Sequence, residues 1–154
     1  MLLIQFTKQL GGAVVIRCTR SDGSTSWQKQ TKHAAHFILH DLTHYAVETT
    51  LGYRQAFFGL IADGWNIEDT TGKGARGPLP LEAIEAETIV GLFDSERAYT
   101  TLWTEGEFNS CAPRSLSAAE IKRIRDIRDS LFQKWFALEP DQKLELTFQP
   151  STGV

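Results

Sequence analysis

The run Ala13-Val14-Val15-Ile16-Arg17-Cys18-Thr19-Arg20-Ser21-Asp22-Gly23-Ser24-Thr25-Ser26-Trp27 decides the fold class. Val14, Ile16 and Cys18 alternate with Val15, Arg17 and Thr19, so a period of two puts the first three on one face of a strand over 13–19. Asp22-Gly23 accepts the positive φ of a tight hairpin turn. Residues 25–30, carrying Trp27, return as a third strand. Upstream, Leu2, Ile4 and Phe6 alternate in the same way over 2–8, and Gly11-Gly12 turns that strand into the next. The opening residues lack a basic n-region and a cleavage site, which favours a strand over a signal peptide. A three-stranded meander buries one face and needs something packed on it.

Helices are expected to supply that cover. Residues 32–51 contain neither Gly nor Pro, are apolar at several helical spacings, and stop at Gly52. A second helix is expected over 54–62. Residues 65–78 read as a polar, Gly-rich loop, with 67–77 lacking apolar anchors. Pro80 opens a third helix with Leu81, Ile84, Ile89, Leu92 and Phe93 as its apolar members, a break or bend near Asp94-Ser95, and a further helical turn or two running to Thr104. Asn109-Ser110-Cys111-Ala112-Pro113 reads as a loop. Ser117 and Glu120 form a capping box, with Leu116 as staple, for a helix striped by Ile121, Ile124, Ile127, Leu131 and Trp135. Its pairs Lys122–Asp126 and Arg125–Asp129 are expected on the wet side. Leu144, Leu146 and Phe148 alternate in a last strand that is expected to join the meander. The fold is therefore α+β, a single domain over 1–154: an antiparallel sheet from the N-terminal meander plus the C-terminal strand, packed against about four helices.

Composition narrows the function. Apolar residues make up 42% of 154 residues and the net charge is −3, a globular chain without the basic stripe that phosphate backbones require. No apolar run approaches the roughly 20 residues that span a bilayer. Two cysteines, Cys18 and Cys111, without CxxC spacing, read as free thiols in a reducing cytosol. A small molecule is the expected partner class, rather than nucleic acid or membrane. Thr71-Gly72-Lys73-Gly74 lacks the spacing of a phosphate loop. The basic run Lys122, Arg123, Arg125, Arg128 reads as a solvated helix face.

All four histidines, His33, His36, His40 and His44, fall within one short span. At about 100° per residue, His40, His44, Glu48 and Asp41 share one helix face, with His36 on its edge. Phe37 and Leu51 bracket that face, which points to a polar group opening into a cleft. Two His at i,i+4 can chelate one ion. His40 and His44, or His44 and Glu48, are candidate ligands for a divalent metal such as zinc. His40 and Glu48, about 12 Å apart along the helix, do not reach the same ion. Asp41 is the candidate acid–base residue, or an orienter of an imidazole. The alternative is a non-catalytic binding or interaction domain, in which His44 pairs with Glu48 or Asp41 as a buried structural cluster and Arg54 neutralises Glu48.

His40-Asp41-Leu42-Thr43-His44 is an HDxxH string that resembles the zinc motif of a ubiquinone-biosynthesis family. That family's pattern has a Glu twelve residues beyond the second His, where this chain has Ala56. Asp22-Gly23, Trp27, His40-Asp41-Leu42, His44, Val47-Glu48, Leu51-Gly52, Arg54 and Phe57-Phe58-Gly59 are together similar to small bacterial proteins to which no activity is attached. That likeness covers roughly the first 65 residues.

Overall fold

Residues 1–150 are described by a computed structural model. Strands β1 (Leu2–Lys8), β2 (Val14–Arg20), β3 (Thr25–Gln30) and β4 (Lys143–Phe148) form one antiparallel sheet in the order β3-β2-β1-β4. The pattern is α+β as expected, with five α-helices: α1 (Ala34–Leu51), α2 (Phe57–Ala62), α3 (Leu81–Tyr99), α4 (Glu105–Cys111) and α5 (Ala118–Phe136). Ile4 lies between Cys18 and Leu146, and Phe6 between Ile16 and Leu144. The alternating apolar residues thus form rows across one face. Leu2, Ile4, Phe6 and Cys18 are fully buried there under Ile38, Leu42, Phe58 and Trp135. Trp27 and Arg17 pair on the other, solvated face.

Helix α1 sits at the centre because it is apolar on more than one side. Ala34, Ile38 and Leu42 enter the core against the sheet, whereas Ala46 and Val47 enter a second core with Ile89, Val90 and Phe93 of α3 and Ile121 and Ile124 of α5. Gly52, at φ 70°, closes it with an N–H on the Glu48 carbonyl. Gly59 lets α2 lie against the preceding turn, since a Cβ there would stand 2.1 Å from the Arg54 carbonyl oxygen.

Several boundaries differ from the sequence reading. Helix α3 runs unbroken through Asp94-Ser95. Its core stripe is Ala83, Ala86, Ile89, Val90 and Phe93, while Leu81 and Ile84 are exposed; small alanines let α1 approach closely, and the larger side chains at 81 and 84 point away. Helix α2 begins at Phe57 rather than Arg54. Helix α4, started by a Thr104–Glu107 capping box, takes in Asn109, Ser110 and Cys111 of the stretch expected to be a loop. Residues 67–71 are not an unanchored loop but a 3-10 turn. Ile67 is buried in the sheet-side core, and its N–H donates to the buried Ser26 hydroxyl at 2.9 Å. Cys18 is buried, Cys111 exposed, and neither is bridged. No helix among the described residues is long and apolar enough to cross a membrane.

Arg125 and Arg128 are not on a wet face. Both guanidinium groups close on Glu96 of α3, which also accepts the Trp103 N–H at 2.8 Å. Burial disfavours the Glu96 carboxylate, but Arg125, the Trp103 N–H and Arg128 outweigh it and hold the carboxyl below its ordinary value. A carboxyl held low contributes stability above the ordinary carboxylate range and loses it as the pH falls through the folded value. Glu96→Gln leaves the buried Arg128 without its main counter-charge, and we expect a loss of roughly 3–5 kcal/mol, read from urea midpoints at neutral pH. A loss under about 1 kcal/mol, the range of surface pairs, would show that Glu96 is not the tie between α3 and α5.

Candidate metal centre

Helices α1 and α3 run antiparallel, and a polar seam follows their contact. At one end the Arg97 guanidinium lies 3.4 Å from His36 Nδ1. At the other, the Tyr53 hydroxyl donates to Glu85 at 2.7 Å and the backbone N–H groups of Arg54 and Gln55 donate to Glu82. Between them lie His40 and His44, one turn apart, facing Glu87 and Asp94, two turns apart.

Each imidazole meets a carboxylate at both nitrogens. His40 Nδ1 is 2.6 Å from Asp94 Oδ2, and its Nε2 is 3.1 Å from Glu87 Oε1. His44 Nδ1 is 3.1 Å from Glu48 Oε2, and its Nε2 is 2.7 Å from Glu87 Oε2. The two Nε2 atoms thus converge on Glu87, and each Nδ1 has its own acid behind it. Ligand atoms of His40, His44 and Glu87 lie within 4.8 Å of one another, close enough to share an ion. His36, His40 and Asp94 form a second such group, but Arg97 approaches both His36 and Asp94 there, and a guanidinium disfavours a second cation at the same spot.

The sequence placed His40, His44, Glu48 and Asp41 on one face, and all four are on it. His44 and Glu48 are buried, His40 and Asp41 partly so. Glu48 does not join the converging group. Its Oε2 is on His44 Nδ1, the far side of the ring, and its Oε1 accepts the Phe58 N–H at 3.0 Å. Glu87 stands where Glu48 was expected. Arg54 does not neutralise Glu48: its side chain is exposed, and its backbone N–H is spent on Glu82. Glu87 and Asp94 were missed because Glu87 is one polar residue among many on the helix and Asp94 reads in sequence as its break or bend; on an unbroken helix their seven-residue spacing, one shared face, is the available signal. Asp41 lines a cavity of ≈ 310 Å³ with His40, His44, Glu87, Phe37 and Phe57.

The electrostatics follow from this arrangement. An ionised carboxylate only accepts, so a ring flanked by two of them donates from both nitrogens and is an imidazolium. Burial works against the His40 cation, but Asp94 and Glu87 outweigh it and push it up to about 9. Burial likewise opposes the His44 cation, and Glu48 and Glu87 push it up to about 10. Glu87 is 56% exposed, and its partial burial against α1 works against the carboxylate only weakly; the two rings outweigh it and hold its carboxyl well below the ordinary range. Burial pushes Glu48 up, opposed by His44 and by the N–H groups of Phe58 and Gly59. Those N–H donors favour an ionised Glu48, so the shared proton resides on His44. Burial raises Asp41 to about 7, moderated by the His44 and His40 charges.

A histidine raised above its unfolded value of about 6.5 contributes stability below that pH and loses it as the pH climbs through the folded value. The metal-free protein, held in chelator, should therefore lose stability as the pH rises through about 9 and 10. Urea midpoints across that interval check this against a His40→Gln/His44→Gln variant, whose slope should be flatter. Equal slopes would mean that the two rings are not the cations.

Comparison of the chain with protein-family models, with curated proteins and with solved structures finds no match, so function has to be read from these side chains.

Proposed function

We propose that this chain is a cytosolic metal-dependent protein acting on a small molecule, with one divalent ion such as zinc held by His40 Nε2, His44 Nε2 and the Glu87 carboxylate. The observation that carries this reading is the pairing behind each ring: Glu48 on His44 Nδ1 and Asp94 on His40 Nδ1. Carboxylates in that position fix the ring orientation and raise the basicity of the opposite nitrogen, as supports of metal-binding histidines do. The two Nε2 protons directed at Glu87 are the ones that an ion would replace. The resemblance of His40-Asp41-Leu42-Thr43-His44 to a zinc motif agrees with this ligand pair.

An ion held by three protein ligands would keep a position for water or substrate, and would supply Lewis-acid polarisation and a lowered pKa of bound water. Asp41, adjacent to His40 in sequence and lining the same cavity, is then the residue that takes or returns a proton on the bound molecule. Glu48 is assigned to holding His44 in place rather than to the ligand set.

The second reading is a structural cluster with no ion, in a non-catalytic binding or interaction domain. It is favoured by the fact that every ring nitrogen of His40 and His44 already has a carboxylate partner. Metal analysis of protein purified without chelator, followed by calorimetric titration of stripped protein with zinc, separates the two. Metal dependence predicts a single bound equivalent, no binding by His44→Ala or Glu87→Ala, and affinity weakened roughly 10- to 100-fold by Glu48→Gln. Absence of binding, together with a loss of roughly 1–3 kcal/mol in His44→Ala from the unpaired Glu48, would leave the structural cluster standing.

A further inference from the structure

We infer that the cavity beside the His40–His44 pair takes a ligand with an amide edge, a planar carboxamide or lactam, and that Gln28 and Gln30 are the residues that recognise it. The inference takes the location of the site from the reading above and does not need the ion. The inward side of β3 carries Ser26, Gln28 and Gln30, whose partners on β2 are Cys18, Ile16 and Val14. Those three partners are buried and apolar, and the rows continue through Ile4 and Phe6 of β1. A side chain that packs into such a row is ordinarily apolar, yet all three inward positions of β3 are polar. Ser26 is accounted for, since its hydroxyl accepts the Ile67 N–H at 2.9 Å. Gln28 and Gln30 are not: both line the cavity, both are half-buried, and neither side-chain amide has a hydrogen-bond partner among the described residues.

The surroundings make those two amides the groups that choose a ligand. Ile16, Ile67, Phe37 and Phe57 line the same cavity, and an amide turned toward apolar walls without a partner is costly. The hydroxyls of Thr70 and Thr71, which also line it, donate to the Ile67 and Glu68 carbonyls of their own turn. The ionisable lining residues, His40, His44, Asp41 and Glu87, carry both signs and come from α1 and α3. They give no preference for a net charge, whereas β3 and the 67–71 turn contribute only neutral groups.

A primary amide presents a donor and an acceptor side by side. Its complement is another donor–acceptor edge, which a glutamine meets with two parallel bonds, as it does at the edge of an adenine. A ketone or ester oxygen satisfies only the donor half. Two residues along a strand span about 7 Å, so the two amides reach neighbouring parts of one small molecule. Phe37 and Phe57 add aromatic surface for a flat group, and ≈ 310 Å³ suits a ligand of one or two rings. The carbonyl of such a ligand is also a group that a Lewis-acid ion polarises, so the class agrees with the metal reading without depending on it.

The test uses three uncharged probes of similar shape: benzamide, acetophenone and ethylbenzene. Each is titrated into the full chain, metal-free and zinc-treated, and followed by NMR of backbone amides and of the glutamine side-chain NH₂ groups, with zinc content measured on the same samples. We expect benzamide to bind at least about tenfold more tightly than acetophenone, a gap that corresponds to about 1.4 kcal/mol, and ethylbenzene to bind no better than acetophenone. The NH₂ signals of Gln28 and Gln30, identified by their loss in Gln28→Leu and Gln30→Leu, should shift with benzamide. The Gln28→Leu/Gln30→Leu variant should bring benzamide down to the level of acetophenone without changing zinc content. Lys29→Gln, on the outward face between them, should change nothing and serves as the folded control. Equal or tighter binding of acetophenone or ethylbenzene, an undiminished benzamide preference in the double variant, or no binding of any probe would overturn the proposal. A benzamide preference in protein that takes up no zinc would remove the metal reading and leave this one, and zinc uptake without that preference would do the reverse.

Discussion

A carboxylate taken out of water has to be surrounded by donors, and the packing around Glu48 follows from that requirement. Glu48 is 1% exposed in the middle of the structure. One of its oxygens takes the N–H of Phe58 and the other takes His44. The first bond fixes how α2 enters after the turn at Gly52, and so where Phe57 and Phe58 stand. The second fixes the His44 ring and aims its Nε2 at Glu87 on α3. One buried acid thereby relates three helices, and the candidate site is built on the relation.

Glu96 does the equivalent work on the other side of α3. It is 3% exposed and is held by Arg125, Arg128 and the Trp103 N–H. Its role is to join α3 to α5 and to the segment before α4. The contrast between the two acids is informative. Both are buried and paired, but only the Glu48 cluster ends in groups that converge on a shared point next to open space. Burial with pairing is an ordinary structural device; convergence toward a cavity is what marks the His40–His44–Glu87 group as a candidate for chemistry.

The sheet contributes by giving α1 a fixed floor. Rows of apolar side chains across β2, β1 and β4 accept Ile38 and Leu42, which sets the rotation of α1 about its axis. With that rotation set, the histidine face is turned toward α3 and the cavity rather than toward the sheet. Ile67, which lines the same cavity, is tied to β3 by the bond from its N–H to the Ser26 hydroxyl.

What was legible in the residues alone was governed by near neighbours, although the equally local Thr104–Glu107 capping box that starts α4 was not read. Alternation in 2–8, 13–19 and 143–149 reflects the two-residue period of a strand, the turn at Asp22-Gly23 reflects backbone freedom, and the start of α5 reflects the reach of Ser117 and Glu120 to each other's N–H groups. The shared face of His40, Asp41, His44 and Glu48 is likewise a consequence of helical pitch. Tertiary structure decided which acid meets which ring. Glu87 lies 43 positions from His44, and Asp94 lies 54 from His40; their meeting depends on α1 and α3 lying antiparallel at one rotation, which follows from the packing of Ala46, Val47, Ala86 and Val90 and from no local pattern. Ile67 and the Arg125–Glu96–Arg128 cluster escaped the sequence for the same reason: a lone apolar residue in a polar loop, or a charge on a helix, shows its role only once the surface that will cover it is in place.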